Sequence, residues 1–365
     1  MGLELGAANL KLVDLSGQNA QLRSFAIRPT PRELIKEGLI TNPDALAEEI
    51  KELVKQAHTK KKLVVTALAN QVAITRIIKV PKMDRKELEE AIRWEAERYI
   101  PFPIDEVVMD FDLLDDPDEL EDGQEMEVII AAAREETVIQ LVETLELAGL
   151  EPVVVDLKPF AGVRTIQHLL APREDGSLPL TLYLEVGAES SSLVFLRGER
   201  PLLTRTLRVA GNDFTQAIAR AFGIDLEQAE ELKKEYALAT LSTEDEEVLL
   251  ELEAPKDRPS QAEIYDAIRS TLIDFTTEVR RSLDFFKVQF GEENLDQAYI
   301  GGGGSKLKGL KGLLSDALGI TFAEIDPWEN IKIDPARFDK AQLQELGPEF
   351  VVPVGLALRG VSQVG

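Results

Sequence analysis

Cysteine is absent from the 365-residue chain, which excludes disulfides, thiolate zinc sites and a cysteine nucleophile. Two histidines, His58 and His168, are too few for an imidazole metal cage. No apolar run approaches the ~20 residues that a membrane span requires. Positive charge is scarce: 41 Lys and Arg stand against 66 Asp and Glu, a net charge of −25. Phosphate backbones and anionic bilayers attract basic surfaces, so neither nucleic acid nor direct membrane insertion is expected. Strand-like residues begin at Gly2, so no signal peptide is expected ahead of them. The expectation is a reduced, cytoplasmic-type protein that reaches any membrane through a partner. At ~100–200 residues per domain, the length suggests two or three domains.

What is present is an internal repeat. Leu3-Glu4-Leu5-Gly6-Ala7 recurs as Leu184-Glu185-Val186-Gly187-Ala188, a shift of 181 residues. At the same shift Leu12-Val13 meets Leu193-Val194, Leu15 meets Leu196, Gly17 meets Gly198 and Leu22 meets Leu203. Each copy reads as a hairpin with a glycine-containing turn, then a third strand: residues 2–6, 10–15 and 21–27, then 180–186, 190–197 and 202–208. Two similar halves imply two similar lobes, and a cleft between lobes is a natural place for a ligand.

Between the copies, residues 43–57 read as a helix capped by Asn42 and 84–99 as one capped by Asp84, with Leu88, Ile92 and Ala96 inward. Pro101 and Pro103 stop the second helix. Strands are expected at 62–68, 71–80, 107–114, 126–132 and 152–156, with helices at 135–148 and 159–170. Residues 77–150 therefore read as a small α+β insert in the first lobe. The second half has helices at 212–222 and 226–236, an acidic stretch at 242–253 and a loop through Pro255 and Pro259. A long amphipathic helix at 261–290 carries Ile264, Ile268, Leu272, Phe275, Val279, Leu283 and Phe286 at steps of three and four. A strand then enters Gly301-Gly302-Gly303-Gly304-Ser305, with helices expected at 306–318 and 349–360.

The turns point to phosphate. Gly6-Ala7-Ala8-Asn9 presents backbone N–H groups with little side-chain obstruction, and Gly187-Ala188-Glu189 repeats that arrangement. Lys11, on the strand leaving the first turn, can neutralise phosphate charge. The glycines before Ser305 allow a flat ligand against bare backbone, and a following helix N-terminus favours negative charge. No Gly-x-x-x-x-Gly-Lys-Ser/Thr loop occurs.

These motifs together resemble the actin-like ATPase superfamily. Residues 3–11 resemble its first phosphate motif, 184–192 its second and 300–307 its adenosine motif. Residues 209–220, with Gly211, and 347–360 correspond to its two connecting segments. Glu230 and Lys233 match a helix that holds the ribose and adenine edge, and their spacing puts them on one face. The resemblance implies ATP on Gly6, Ala7, Ala8, Asn9, Lys11, Gly187, Ala188, Glu189, Gly211, Glu230, Lys233, Gly302, Gly303 and Ser305. It also implies hydrated Mg2+ near Glu4 and Glu185. The superfamily usually has Asp where Glu4 and Glu185 stand, and Ser or Thr where Ala7 and Ala188 stand. A longer carboxylate shifts the metal-bound water, and misplacement by ~1 Å can cost ~100-fold in rate. ATP binding with slow or no hydrolysis is therefore expected.

A narrower likeness lies in the insert. Arg93-Trp94-Glu95-Ala96-Glu97-Arg98-Tyr99-Ile100-Pro101-Phe102-Pro103, continuing to Phe111, closely resembles the PilM family of type IV pilus assembly proteins, which is related to the division protein FtsA. Val80-Pro81-Lys82-Met83 and Asp156-Leu157-Lys158-Pro159-Phe160-Ala161-Gly162 fit the same family. The resemblance implies an α/β actin-like ATPase fold, two lobes with a duplicated core and an FtsA-type 1C insert. Its subdomains are 1A at 1–76 and 151–178, 1C at 77–150, 2A at 179–224 and 291–340, and 2B at 225–290. Residues 341–365 then return to 1A.

By family resemblance the partner is the N-terminal cytoplasmic tail of PilN, with pilus motor ATPases as further partners. The expected place is the inner-membrane platform, reached peripherally. The corner Ile100-Pro101-Phe102-Pro103 offers apolar anchors beside the charged side chains Arg93 and Glu97, with Arg76 near the second wall. An extended peptide needs both features. The competing functions are a nucleotide-binding scaffold, an actively hydrolysing ATPase driving assembly, and a small-molecule kinase. No segment suggests the carboxylate base and shaped substrate pocket that a kinase requires.

Overall fold

The computed structural model describes residues 1–17, 19–240, 258–291 and 294–364. The expected acidic stretch 242–253 and the loop at Pro255 lie outside those residues. The chain divides into two units: Met1–Arg164 with Arg200–Thr204 and Pro353–Gly365, and Thr165–Glu199 with Arg205–Val352.

In the first unit, β1 (Gly2–Leu5), β2 (Asn9–Ser16) and β3 (Gln21–Pro29) form an antiparallel meander. A small hairpin, β4 (Ile35–Lys36) and β5 (Leu39–Ile40), leads into α1 (Pro43–Gln56). Asn42 accepts a hydrogen bond from the Ala45 amide at 3.1 Å and so caps α1. The helix buries Leu46, Ile50 and Leu53 against the sheet, each contributing about 1.5–3 kcal/mol. Strands β6 (Leu63–Leu68) and β10 (Glu151–Leu157) extend the sheet in parallel, giving the order β10-β6-β1-β2-β3.

A separate three-stranded antiparallel sheet, β7 (Ala73–Pro81), β9 (Glu125–Arg134) and β8 (Val107–Leu113) in that order, carries α2 (Arg85–Ala96). Asp84 and Glu87 form the reciprocal cap of α2. Leu88, Ile92 and Ala96 share this sheet's core with Val80, Val128 and Ile130. The helix α3 (Glu135–Leu147), which the sequence reading placed in the insert, buries Leu141 and Leu145 in the other core, with Leu46 and Ile50 of α1. Its apolar stripe meets the larger sheet because β10 follows directly and returns the chain there.

In the second unit, β11 (Leu180–Val186), β12 (Ser191–Arg197) and β13 (Arg200–Leu207) repeat the meander, and β14 (Gln297–Gly301) and β15 (Phe322–Glu324) add in parallel. The order β13-β12-β11-β14-β15 is that of the first sheet strand for strand. Duplication is therefore visible in topology as well as in sequence. Helices α5 (Gly211–Phe222), α6 (Leu226–Tyr236) and α7 (Gln261–Phe290) follow. Phe286 of α7 stacks on Phe195 of β12 with ring centroids 4.3 Å apart.

The helix expected at 306–318 is a 3-10 turn, Gly303–Lys306, followed by α8 (Leu310–Leu318). Gly309 separates them at φ +82°, where a Cβ would fall 2.8 Å from the Thr240 hydroxyl. Helices α9 (Lys340–Leu346) and α10 (Val351–Val364) end the chain's secondary structure. Backbone atoms of Pro353 and Ala357 would lie within 2.5 Å of a Cβ at Gly2, so β1 and α10 pack backbone to backbone.

Candidate functional site

The first turn is built around a glycine that cannot be replaced cheaply. A Cβ on Gly6 would lie 2.5 Å from the Asn9 carbonyl oxygen. Thr30, just past β3, fixes the turn twice: its hydroxyl donates to the Gly6 carbonyl at 2.7 Å and its amide to the Ala8 carbonyl at 2.9 Å. Glu4 is buried and stands directly across the ladder from Lys11. Lys11 Nζ lies 3.0 Å from Glu4 Oε2, and Lys158 Nζ, at the start of α4 (Lys158–Thr165), lies 3.3 Å from Oε1. Burial alone would push the Glu4 carboxyl up, but the two ammonium groups outweigh it and hold it below the usual glutamate value.

In the second unit, four segments converge on the end of β11. The Gly187 amide donates to the Ser190 carbonyl at 3.1 Å, closing the second turn. The amides of Gly211 and Asn212, at the start of α5, donate to the carbonyls of Gly187 at 2.9 Å and Ala188 at 2.7 Å. Lys233 on α6 donates to the Gly211 carbonyl at 3.0 Å and the Thr215 hydroxyl at 2.8 Å, and lies 2.7 Å from Glu230 Oε2. Thr215 donates to that same oxygen at 2.5 Å. Burial would raise the Glu230 carboxyl; Lys233 outweighs it and the carboxyl lies below its ordinary value. Glu185 is buried at the same strand end.

The glycine run completes the group. At Gly302, with φ +86°, a Cβ would fall 2.4 Å from the Val186 carbonyl oxygen, and at Gly304 it would meet the Val186 side chain at 2.5 Å. Those two glycines are required by packing. Gly303 is different, because its nearest neighbour is Glu349 Cγ at 3.5 Å, an ordinary contact. The Ser305 hydroxyl donates to the Gly302 carbonyl at 2.7 Å and so holds the turn. Gly187, Ala188, Gly211, Glu230, Lys233 and the glycine run are thus one contiguous group within the second unit.

Sequence reasoning missed Thr30, Lys158, Thr215 and Glu349. Thr215 had a local signal, one helical turn after Gly211. Lys158 had none, since it meets Glu4 from more than 150 residues away.

The expected peptide corner is partly consumed by the fold. Ile100 is core, packed with Ile92 and Ala96. The Arg93 guanidinium donates to the Ile104 carbonyl at 2.9 Å, and the Phe102 ring lies under the Arg134 guanidinium at 4.5 Å. Glu97 and Arg76 are exposed, and Arg76 donates to its neighbour's carbonyl, that of Thr75. Trp94, 75% exposed on α2, was not singled out.

The chain matches the type IV pilus assembly protein PilM family over residues 2–252. It is 50% identical to a chain of a solved PilM–PilN type IV pilus biogenesis complex, covering 99% of this chain and 98% of that one with a TM-score of 0.87. The chain belongs to the PilM family. Residues 182–346 also match the cell division protein FtsA family, and FtsA of Bacillus subtilis is 21% identical over 87% of this chain and 76% of its own length. MreB5 of Spiroplasma citri, solved with ADP, is 12% identical with a TM-score of 0.53 over 97% of this chain and 93% of its own; that likeness shows the fold alone. Like these relatives, the PilM-family chain has the actin-like α/β fold with two sheet-based lobes.

Tested against a nucleotide, the second unit fits: it offers Gly303 backbone without a side chain and a half-buried Glu–Lys pair. Tested against Mg2+, the first unit fits poorly, since both Glu4 oxygens already face ammonium groups. Among the described residues, no three His, Asp or Glu side chains cluster to hold a metal directly.

Proposed function

We propose that this chain is an ATP-binding scaffold of the type IV pilus inner-membrane assembly platform, which binds the N-terminal cytoplasmic tail of PilN and hydrolyses ATP slowly or not at all. The observation that carries the reading is the 50% identity, over nearly the full length of both chains, to the PilM–PilN complex. The sheet of β7–β9 with α2 is assigned to the 1C insert. The two duplicated sheets are assigned to 1A and 2A, and α6 with α7 to 2B. No helix among the described residues is long and apolar enough to cross a membrane, and placement at the cytoplasmic face through PilN accords with that. Pilus motor ATPases are proposed as further partners.

The ATP assignment is supported by the convergence of the second turn, α5, α6 and the glycine run on the end of β11. Any hydrated Mg2+ is assigned to Glu185 rather than Glu4. Slow hydrolysis is supported by alanine at Ala7 and Ala188, which leaves no side-chain hydroxyl directly after the first glycine of either turn. The experiment is capture of the protein by immobilised PilN tail peptide, with and without ATP, alongside ATP titration and turnover. Specific capture, measurable ATP binding and turnover far below metabolic rates are expected. Rapid turnover lost on Glu185→Gln would instead make the chain a working ATPase, and absence of capture would remove the PilN assignment.

A further inference from the structure

In the second unit the ladder sets Ser192 of β12 directly opposite Glu185 of β11, so the two side chains share a face at the strand end that leads into the Gly187 turn. Both are buried, Glu185 at 8% exposure and Ser192 at 1%. The preceding hydroxyl, that of Ser191, points to the other face and donates to the Val209 carbonyl at 2.9 Å. The Ser192 hydroxyl has no hydrogen-bond partner among the described residues. Buried hydroxyls are nearly always bonded, because removing one from water without a partner is costly. Here the orphan stands across from a buried carboxylate.

The first unit fills the equivalent position differently. Lys11 stands 181 residues before Ser192 and lies 3.0 Å from Glu4 across its own ladder. An ammonium can only donate, so the first ladder joins a donor to its carboxylate. The second joins two groups that can accept: a carboxylate accepts only, and a hydroxyl offers two lone pairs. One atom with two hydrogens to give suits such a pair. Water around a divalent cation is of that kind, and Mg2+ keeps several of its waters when it binds beside phosphates.

We infer that Ser192 is a positioning residue for the hydrated cation that accompanies the nucleotide, its hydroxyl accepting a hydrogen bond from a hydration water that also donates to Glu185. The inference rests on the ATP-binding reading above, concerns the second unit alone and adds Ser192 to Glu185. Nothing in the fold competes for the hydroxyl among the described residues, so it is committed to no other bond before the ligand arrives.

The test is ATP affinity by calorimetric titration of the full chain in excess Mg2+ and in excess EDTA, for wild type and Ser192→Ala, with thermal melts of both ligand-free proteins. Mg2+ should tighten the wild-type Kd at least about tenfold, and Ser192→Ala should forfeit at least about fivefold of that gain while its affinity in EDTA stays within about twofold of wild type. The ligand-free variant should melt no lower than wild type, because the lost hydroxyl bonds nothing in the fold. A wild-type affinity indifferent to Mg2+ overturns the inference and leaves the ATP reading standing. So does a Ser192→Ala protein that keeps the full Mg2+ gain, or one that loses affinity equally in both buffers. A variant that melts lower or fails to fold also overturns it, since the hydroxyl then serves the fold. No wild-type binding in either buffer removes both readings.

Discussion

Lys233 donates to Thr215 at 2.8 Å, and through that bond α6 is fixed to α5. The pair that the family resemblance pointed to, Glu230 and Lys233, is thus one side of a four-membered network with Thr215 and the Gly211 carbonyl. An isolated exposed ion pair contributes only ~0–1 kcal/mol. A half-buried network loses more when one member is removed, about 1–3 kcal/mol for a polar group left unsatisfied. Lys233→Ala should therefore lower stability by that amount and also weaken ATP binding. Thr215→Val should lower stability comparably with a smaller effect on ATP. Equal losses of ATP affinity in the two variants, measured by titration, would mean that Lys233 acts only by holding α6.

Two depressed glutamates away from solvent, Glu4 and Glu230, contribute to an acid limit. Glu4 and Glu230 both have folded-state pKa values below the ordinary glutamate value of 4.5. A carboxyl depressed on folding contributes stability that is present above its unfolded pKa and is lost as pH falls through the folded one. Thermal melts should hold steady at neutral pH and decline below about pH 4.5. Glu4→Gln and Glu230→Gln should each start lower at neutral pH and show a shallower acid decline. A decline as steep as wild type in both variants would assign the acid sensitivity to other carboxylates.

Two adjacent glycines should behave oppositely. Gly302→Ala meets both a left-handed backbone and the Val186 carbonyl oxygen at 2.4 Å, and is expected to destabilise the fold. Gly303→Ala meets nothing closer than 3.5 Å and should fold normally. If Gly303 lies under bound adenosine, the added methyl will weaken ATP binding while leaving the melting temperature within a degree or two of wild type (about 0.5 kcal/mol). Unchanged ATP affinity for Gly303→Ala would take the glycine run out of the site.

The corner after α2 gives a test of the partner surface. Trp94→Ala should leave stability within about 0.5 kcal/mol of wild type, because the side chain is mostly in solvent. Loss of PilN-peptide capture by that variant would place the surface on the exposed face of α2. Arg93→Glu is expected to abolish capture too, at some cost to stability, since it removes the bond to the Ile104 carbonyl. Phe102→Asp should also lose capture and weaken the packing under Arg134. Wild-type peptide affinity in folded Arg93→Glu and Phe102→Asp proteins would exclude the corner.

Much of the architecture was legible because it is local or repeated. Asn42 and Asp84 announce their helices, since a cap is a short-range hydrogen bond written within three residues. The shared spacing of Leu3–Ala7 and Leu184–Ala188 announces two like sheets, because hairpin register depends on alternation and turn residues. The 3.6-residue stripe along 261–290 is likewise a property of one segment, and α7 has the bounds it implied.

What only the tertiary structure decided is which distant segments meet, and therefore which charges are cancelled and which surfaces are consumed. Nothing local to Glu4 announces Lys158, which β10 and α4 bring to its second oxygen. Ile100 reads as a peptide anchor until the three-stranded sheet buries it. Within the glycine run, Val186 gives Gly302 and Gly304 a packing requirement that Gly303 does not share. The physical reason is common to all three. Side-chain chemistry is set by sequence, but desolvation and ion pairing act over a few ångströms in space, and those neighbours are chosen by the packing of the sheets.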